Sequence, residues 1–130
     1  MDYRTWLAVG ALFGMTGVAL GAFGAHGLAE RLAANGRAAT YDTAVQYHLI
    51  HAVALVAIGA LAAAMPNANF NTAGLLLTIG TLVFSGALYT LAIFDLRIMG
   101  AVAPIGGALM VAGWAVLLLA VLRLPAPSGT

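Results

Sequence analysis

At 130 residues, 63% hydrophobic and only 7% charged, the chain is far more apolar than a soluble domain, in which charged residues make up about a quarter. Cysteine is absent, which excludes disulfides, thiolate metal sites and cysteine nucleophiles. The formal net charge is +1 and there is no lysine, so no basic run exists to hold a nucleic acid, and none is expected as a partner.

The nine acidic and basic side chains leave three uninterrupted gaps, at positions 5–29, 43–94 and 98–122. A charge at the centre of a bilayer costs about 2.5–3.5 kcal/mol, so such gaps trace hydrocarbon-spanning segments. A helical span takes about twenty residues at about 1.5 Å each. The first gap supplies one span, 6–26. It is longer than the core of a signal peptide and is expected to stay and cross the membrane. The central gap is too long for one helix, and Met65-Pro66-Asn67-Ala68-Asn69-Phe70-Asn71 breaks it with turn residues into spans 45–64 and 72–93. The last gap gives span 101–122. The apolar stretches are continuous and lack the alternation of a barrel strand. The expectation is therefore a single all-α membrane domain, 1–130, built as a four-helix transmembrane bundle with lipids as its solvent.

The connection from Gly27 to Ala44 carries Glu30, Arg31, Arg37 and Asp42. Leu28 and Leu32 fall on one side of a short helical stretch that Asn35-Gly36 stops, which predicts a short amphipathic interfacial segment between the first two spans. The third connection, Phe94 to Gly100, holds Asp95 and Arg97 and shares a membrane face with the first. Pro104 is expected in the first turn of the fourth span, where a missing amide proton costs nothing. Orientation is a tie: Arg4 and Arg123 lie on one side, Arg31, Arg37 and Arg97 on the other. The tail from Pro125 to Thr130 is too short to form a domain.

Gly10, Gly14, Gly17, Gly21 and Gly24 are spaced 4, 3, 4, 3, the 3.5-residue repeat of a face that keeps meeting one neighbour. Lipid gives no hydrophobic push between helices, so small residues that admit close backbone approach mark packing seams. Gly106, Gly107 and Gly113 form a second cluster. Gly74, Gly80 and Gly86 do not hold one face and are expected to serve local fitting.

By the four-span topology His26, Tyr47, His48, His51, Asp95 and Arg97 converge on one polar membrane face. His48 and His51 share a helix face, and a third imidazole from His26 could complete a three-nitrogen set. Histidines at a membrane boundary are more often bound to carbonyls, waters or headgroups. Ser85, Tyr89 and Thr90 offer hydroxyls at depth, where such groups usually bond a carbonyl one turn back or a neighbouring helix. An ion pair from Arg97 to Asp42 or Glu30 would lock the polar face. Trp6, Trp114, Tyr3 and Tyr41 are the expected interfacial anchors, Trp114 being rather deep for that role.

Leu20-Gly-Ala-Phe-Gly-Ala-His-Gly-Leu28 resembles a motif of the small four-span membrane proteins grouped as domain of unknown function 423, which include the mitochondrial transmembrane protein 256. Tyr47-His-Leu-Ile-His-Ala52 is similar to that family's second motif, Phe84-Ser-Gly-Ala-Leu-Tyr89 to its third, and Pro104-Ile-Gly-Gly107 with Gly113-Trp114 to its fourth. The resemblance covers nearly the whole chain. It implies four transmembrane helices, a multi-pass location in the bacterial inner membrane and no established activity. The positions it marks are Gly21, Gly24, His26, Tyr47, His51, Ser85, Tyr89, Pro104, Gly107 and Trp114. His48 stands outside the pattern, which makes His26 and His51 the pair to test.

Three function classes follow. The first is a structural or accessory subunit that packs with itself or with a larger membrane complex, without enzymatic activity, cofactor or metal. The second is a redox, quinone or proton-handling module with His26, His51 and Tyr47 as candidate ligand-binding residues. The third is a small transporter or channel, against which the lack of intramembrane charges and of a clear inverted repeat argue. A soluble-type hydrolase ranks lower still, since no Ser, His and acid appear in a recognisable elbow or triad order.

Overall fold

The computed structural model describes residues 1–125, and the tail beyond Pro125 lies outside them. Its elements, in chain order, are α1 (Tyr3–Ala25), α2 (Ala29–Ala34), α3 (Ala38–Ala64), α4 (Asn71–Phe94) and α5 (Met99–Leu122). The described residues contain no strand, and α1, α3, α4 and α5 are each long and apolar enough to cross a membrane. The fold is all-α with four spans.

The helix boundaries follow from local chemistry. Gly36, the one glycine with positive φ (64°) among the described residues, ends α2: its amide donates to the Ala33 carbonyl and that of Arg37 to Leu32. The chain turns directly into α3, which therefore starts well before position 45, the expected limit of the second span. Asp42 rides on its exposed side. Between α3 and α4, Pro66 sits in a turn closed by the Ala68 amide on Met65, and the Asn69 side-chain oxygen accepts the Asn71 amide at the start of α4. Asp95 closes α4 in the left-handed region (φ 51°), a conformation Asp tolerates better than most residues. Because α5 begins at Met99, Pro104 lies inside the helix and not in its first turn. The Gly100 carbonyl consequently has no proline N–H to accept.

Neighbours are set by sequence order: α1 packs on α3, α3 on α4 and α4 on α5, with the short α2 touching α1, α3 and α4 at one end. In their most apolar windows α3 and α4 bury 39% of residues and α1 and α5 17%, so the first and last spans are the outer ones. Trp6, Phe13, Leu55, Ile58, Phe70, Leu77 and Met110 form the main core.

Glycine decides how closely the helices approach. A β-carbon at Gly10 would lie 2.7 Å from the Val56 backbone nitrogen, and one at Gly24 would run into the Tyr41 ring. Gly17 and Gly21 face Leu49 and Val45, and Gly59 of α3 returns the contact against Leu7. Gly14 departs from the expected seam and faces open space: four residues beyond Gly10 it has turned about 40° further round the helix. On the other side, Gly106 lies against the Phe84 backbone and Gly113 against Leu77, whereas Gly107 makes only loose contact with Phe84. Gly74 and Gly80 meet different neighbours, Trp6 and Met110, and Gly86 is open.

Candidate functional site

The early start of α3 moves its histidines. His48 and His51 follow Ala38 by ten and thirteen residues, about 15 Å and 20 Å along the axis, and His51 is the midpoint of the helix. They lie inside the charge-free stretch, six and nine residues beyond Asp42, and within the helix bundle. His51 is 4% exposed and His48 9%. His26, the C-terminal cap of α1, is exposed at the polar end. His26 and His51, the pair to test, are thus not brought together, and neither is a three-imidazole set; among the described residues no three His, Cys, Asp or Glu side chains cluster to hold a metal.

Each buried histidine is bound on both ring nitrogens. Around His48, the Thr16 hydroxyl of α1 lies 3.3 Å from Nε2 and the Tyr89 hydroxyl of α4 3.1 Å from Nδ1. Thr16 gives its own proton to the carbonyl of Leu12 at 2.9 Å, one turn back. It is therefore an acceptor toward the imidazole: His48 carries its proton on Nε2, and Tyr89 donates to Nδ1. The Phe13 ring meets the same imidazole edge-on at 5.4 Å. One side chain thereby ties α3 to both α1 and α4.

His51 has the opposite arrangement. Its Nδ1 lies 2.8 Å from the carbonyl of Tyr47, which can only accept, so Nδ1 is protonated. Its Nε2 then has a free lone pair, to which the Trp114 indole N–H of α5 donates at 3.1 Å. The bond spans from α3 to α5 past α4. Tyr47, 39% exposed, stacks over the His51 ring at 6.1 Å and leans on Phe84 at 4.7 Å.

The other depth hydroxyls also find partners. Ser85 donates to the Ala44 carbonyl at 2.9 Å, and Thr90 to Gly86 one turn back at 2.8 Å. Of the four aromatic residues expected at the interface, two are buried and a third, 44% exposed, gives its N–H to the interior. Trp6 is buried and donates to the Asn71 side chain at 3.0 Å, Tyr41 is buried and donates to the Leu20 carbonyl, and Trp114 serves His51. Among the described residues no buried side-chain nitrogen or oxygen lacks a hydrogen-bond partner.

The polar end is a separate structure. Asp95 pairs with Arg37, at 3.1 Å from both Nη2 and Nε, and not with Arg97, which is exposed. Beside this pair the Asn35 amide donates to the Ala92 and Ile93 carbonyls at 3.0 and 3.1 Å, satisfying the end of α4. The clasp joins the first and third connections through Arg37 and Asp95, and not through a pairing of Arg97 with Asp42 or Glu30. Thr16 escaped the sequence reading, which took Asn35 and Asn71 only as turn residues, although an isolated polar residue in an apolar span, such as Thr16, is itself a signal that the side chain has an internal partner.

A family model described as protein of unknown function (DUF423) matches residues 20–107. Relatives align nearly end to end. A UPF0382 membrane protein of Staphylococcus haemolyticus is 40% identical over 92% of this chain and 97% of its own. The UPF0382 membrane protein YwdK of Bacillus subtilis is 34% identical over 92% and 98%, and the UPF0382 inner membrane protein YgdD of Escherichia coli K12 36% identical over 95% and 94%. No solved structure matches the chain.

Proposed function

This chain belongs to the DUF423 family and is a multi-pass protein of the inner membrane, and from that premise we propose that it acts as a structural or accessory subunit, packing with itself or with a larger membrane complex. The observation that carries this reading is the internal engagement of the polar side chains at depth. Both nitrogens of His48 and of His51 are committed to α1, α4, α5 or the backbone of α3, so the groups best suited to ligate or shuttle instead join helices. Apolar side chains are left uncovered on every span: Leu12, Met15 and Val18 on α1, Val53 on α3, Leu82 on α4, and Ile105, Val111 and Leu118 on α5. Such faces suit lipid or the helices of another subunit.

The redox or quinone alternative drew on His26, His51 and Tyr47 together. With His26 exposed at the far end of α1, that set is dispersed.

Native mass spectrometry of the protein extracted gently from its own membrane tests the proposal. A stoichiometric heterocomplex or a homo-oligomer is the expected result. A lone chain, bare or carrying a discrete non-lipid mass, would overturn it.

A further inference from the structure

We propose that His51 is a proton-sensitive latch between α3 and α5: a proton gained at Nε2 expels the Trp114 indole and unties the two helices. The chemistry follows from the partners. An indole N–H can donate and cannot accept. Nδ1 of His51 already holds a proton, directed at the Tyr47 carbonyl at 2.8 Å, so the lone pair that takes up a second proton is the one Trp114 occupies at 3.1 Å. After protonation two N–H groups point at one another, and the bond becomes a repulsion.

His48 is the internal contrast. Its Nδ1 partner is a hydroxyl, which turns from donor to acceptor, so a protonated His48 keeps Tyr89 and Thr16. Only the His51 contact is forced to break.

The surroundings make the event local and decisive. The groups facing this level are Tyr47 on α3 itself, stacked on the ring; Phe84, Ser85 and, beside His48, Tyr89 from α4; Phe13 and Thr16 from α1; and Trp114 from α5. None carries a charge, and positions 43–94 and 98–122 hold no Asp, Glu, Lys or Arg to serve as counter-ion. A charged imidazole here has no counter-ion among these neighbours, and Trp114, 44% exposed on the outer helix α5, is the partner free to move away. Release leaves α5 seated on α4, because the contacts at Gly80, Gly106 and Gly113 involve neither ring. The latch therefore alters how α5 is held to α3 without dismantling the bundle.

The test uses full-length protein in phospholipid nanodiscs, with tryptophan and histidine labelled with nitrogen-15, followed by NMR between about pH 8 and about pH 4. Trp114→Phe assigns the two indole signals. The expected result is that the Trp114 N–H resonance moves upfield as pH falls, in step with protonation of the His51 ring. The Trp6 N–H, bound to the non-titrating Asn71, should stay in place. In His51→Gln the Trp114 signal should lose its pH dependence. The wild type alone decides if that variant does not fold. A Trp114 signal that stays constant while His51 takes up its proton, a His51 ring that remains neutral throughout the range, or equal movement of Trp114 and Trp6 would each overturn the latch.

Discussion

Two polar regions hold this molecule together, and they work in different solvents. At the level of His48 and His51, neutral groups on α1, α3, α4 and α5 bond one another in a stretch without charges. At the polar end, Arg37, Asp95 and Asn35 tie the first connection to the end of α4, with the ion pair 30% and 42% exposed. Water can replace any partner lost at the end and few of those lost at depth. The formally charged contacts are consequently expected to matter less than the uncharged ones.

Four substitutions order this contrast, each read by reversible unfolding in mixed micelles or bicelles. Gly106→Val sets the upper bound: the new side chain meets the Phe84 backbone, which cannot rotate away, and the loss should reach about 3 kcal/mol with α5 displaced from α4. Next comes His48→Leu, which strands the Tyr89 hydroxyl at depth and should cost about 2 kcal/mol. Adding Tyr89→Phe to that variant should recover part of the loss, because both partners are then apolar. Trp114→Phe removes one donor at a partly exposed position, and about 1 kcal/mol is expected, in the range of intramembrane hydrogen bonds. Arg37→Ala should be the mildest, under about 1 kcal/mol and smaller still at high salt. If Arg37→Ala proved costlier than His48→Leu, the contrast between the two regions would be reversed.

The sequence carried the spans because a bilayer penalises charge so heavily that the gaps between charges nearly coincide with the helices. It also carried the Asn35-Gly36 stop, where a left-handed residue is needed. The starts of α3 and α5 were less legible. Asp42 reads as a connection residue, yet it sits on the exposed side of a helix that already runs from Ala38. His48 and His51 consequently stand well inside the helix and are buried against its neighbours.

The direction of aromatic residues was hidden for a related reason. Trp6, Tyr41 and Trp114 have the amphipathic rings of interfacial anchors, but each hydrogen bond points to a neighbouring helix, which depends on rotation about the helix axis. In the glycine seam, the heptad-spaced Gly10, Gly17 and Gly24 face α3, while Gly14 shows that spacing alone does not fix every member.

The central claim is that the two buried histidines act as neutral connectors of helices, held in opposite tautomers. Nitrogen-15 chemical shifts of the imidazoles in nanodiscs at neutral pH, assigned with His48→Gln and His51→Gln, test it most directly. The account predicts a proton on Nε2 in His48 and on Nδ1 in His51. The same tautomer in both rings, a charged ring, or a nitrogen shifted by coordination to a bound ligand would contradict it.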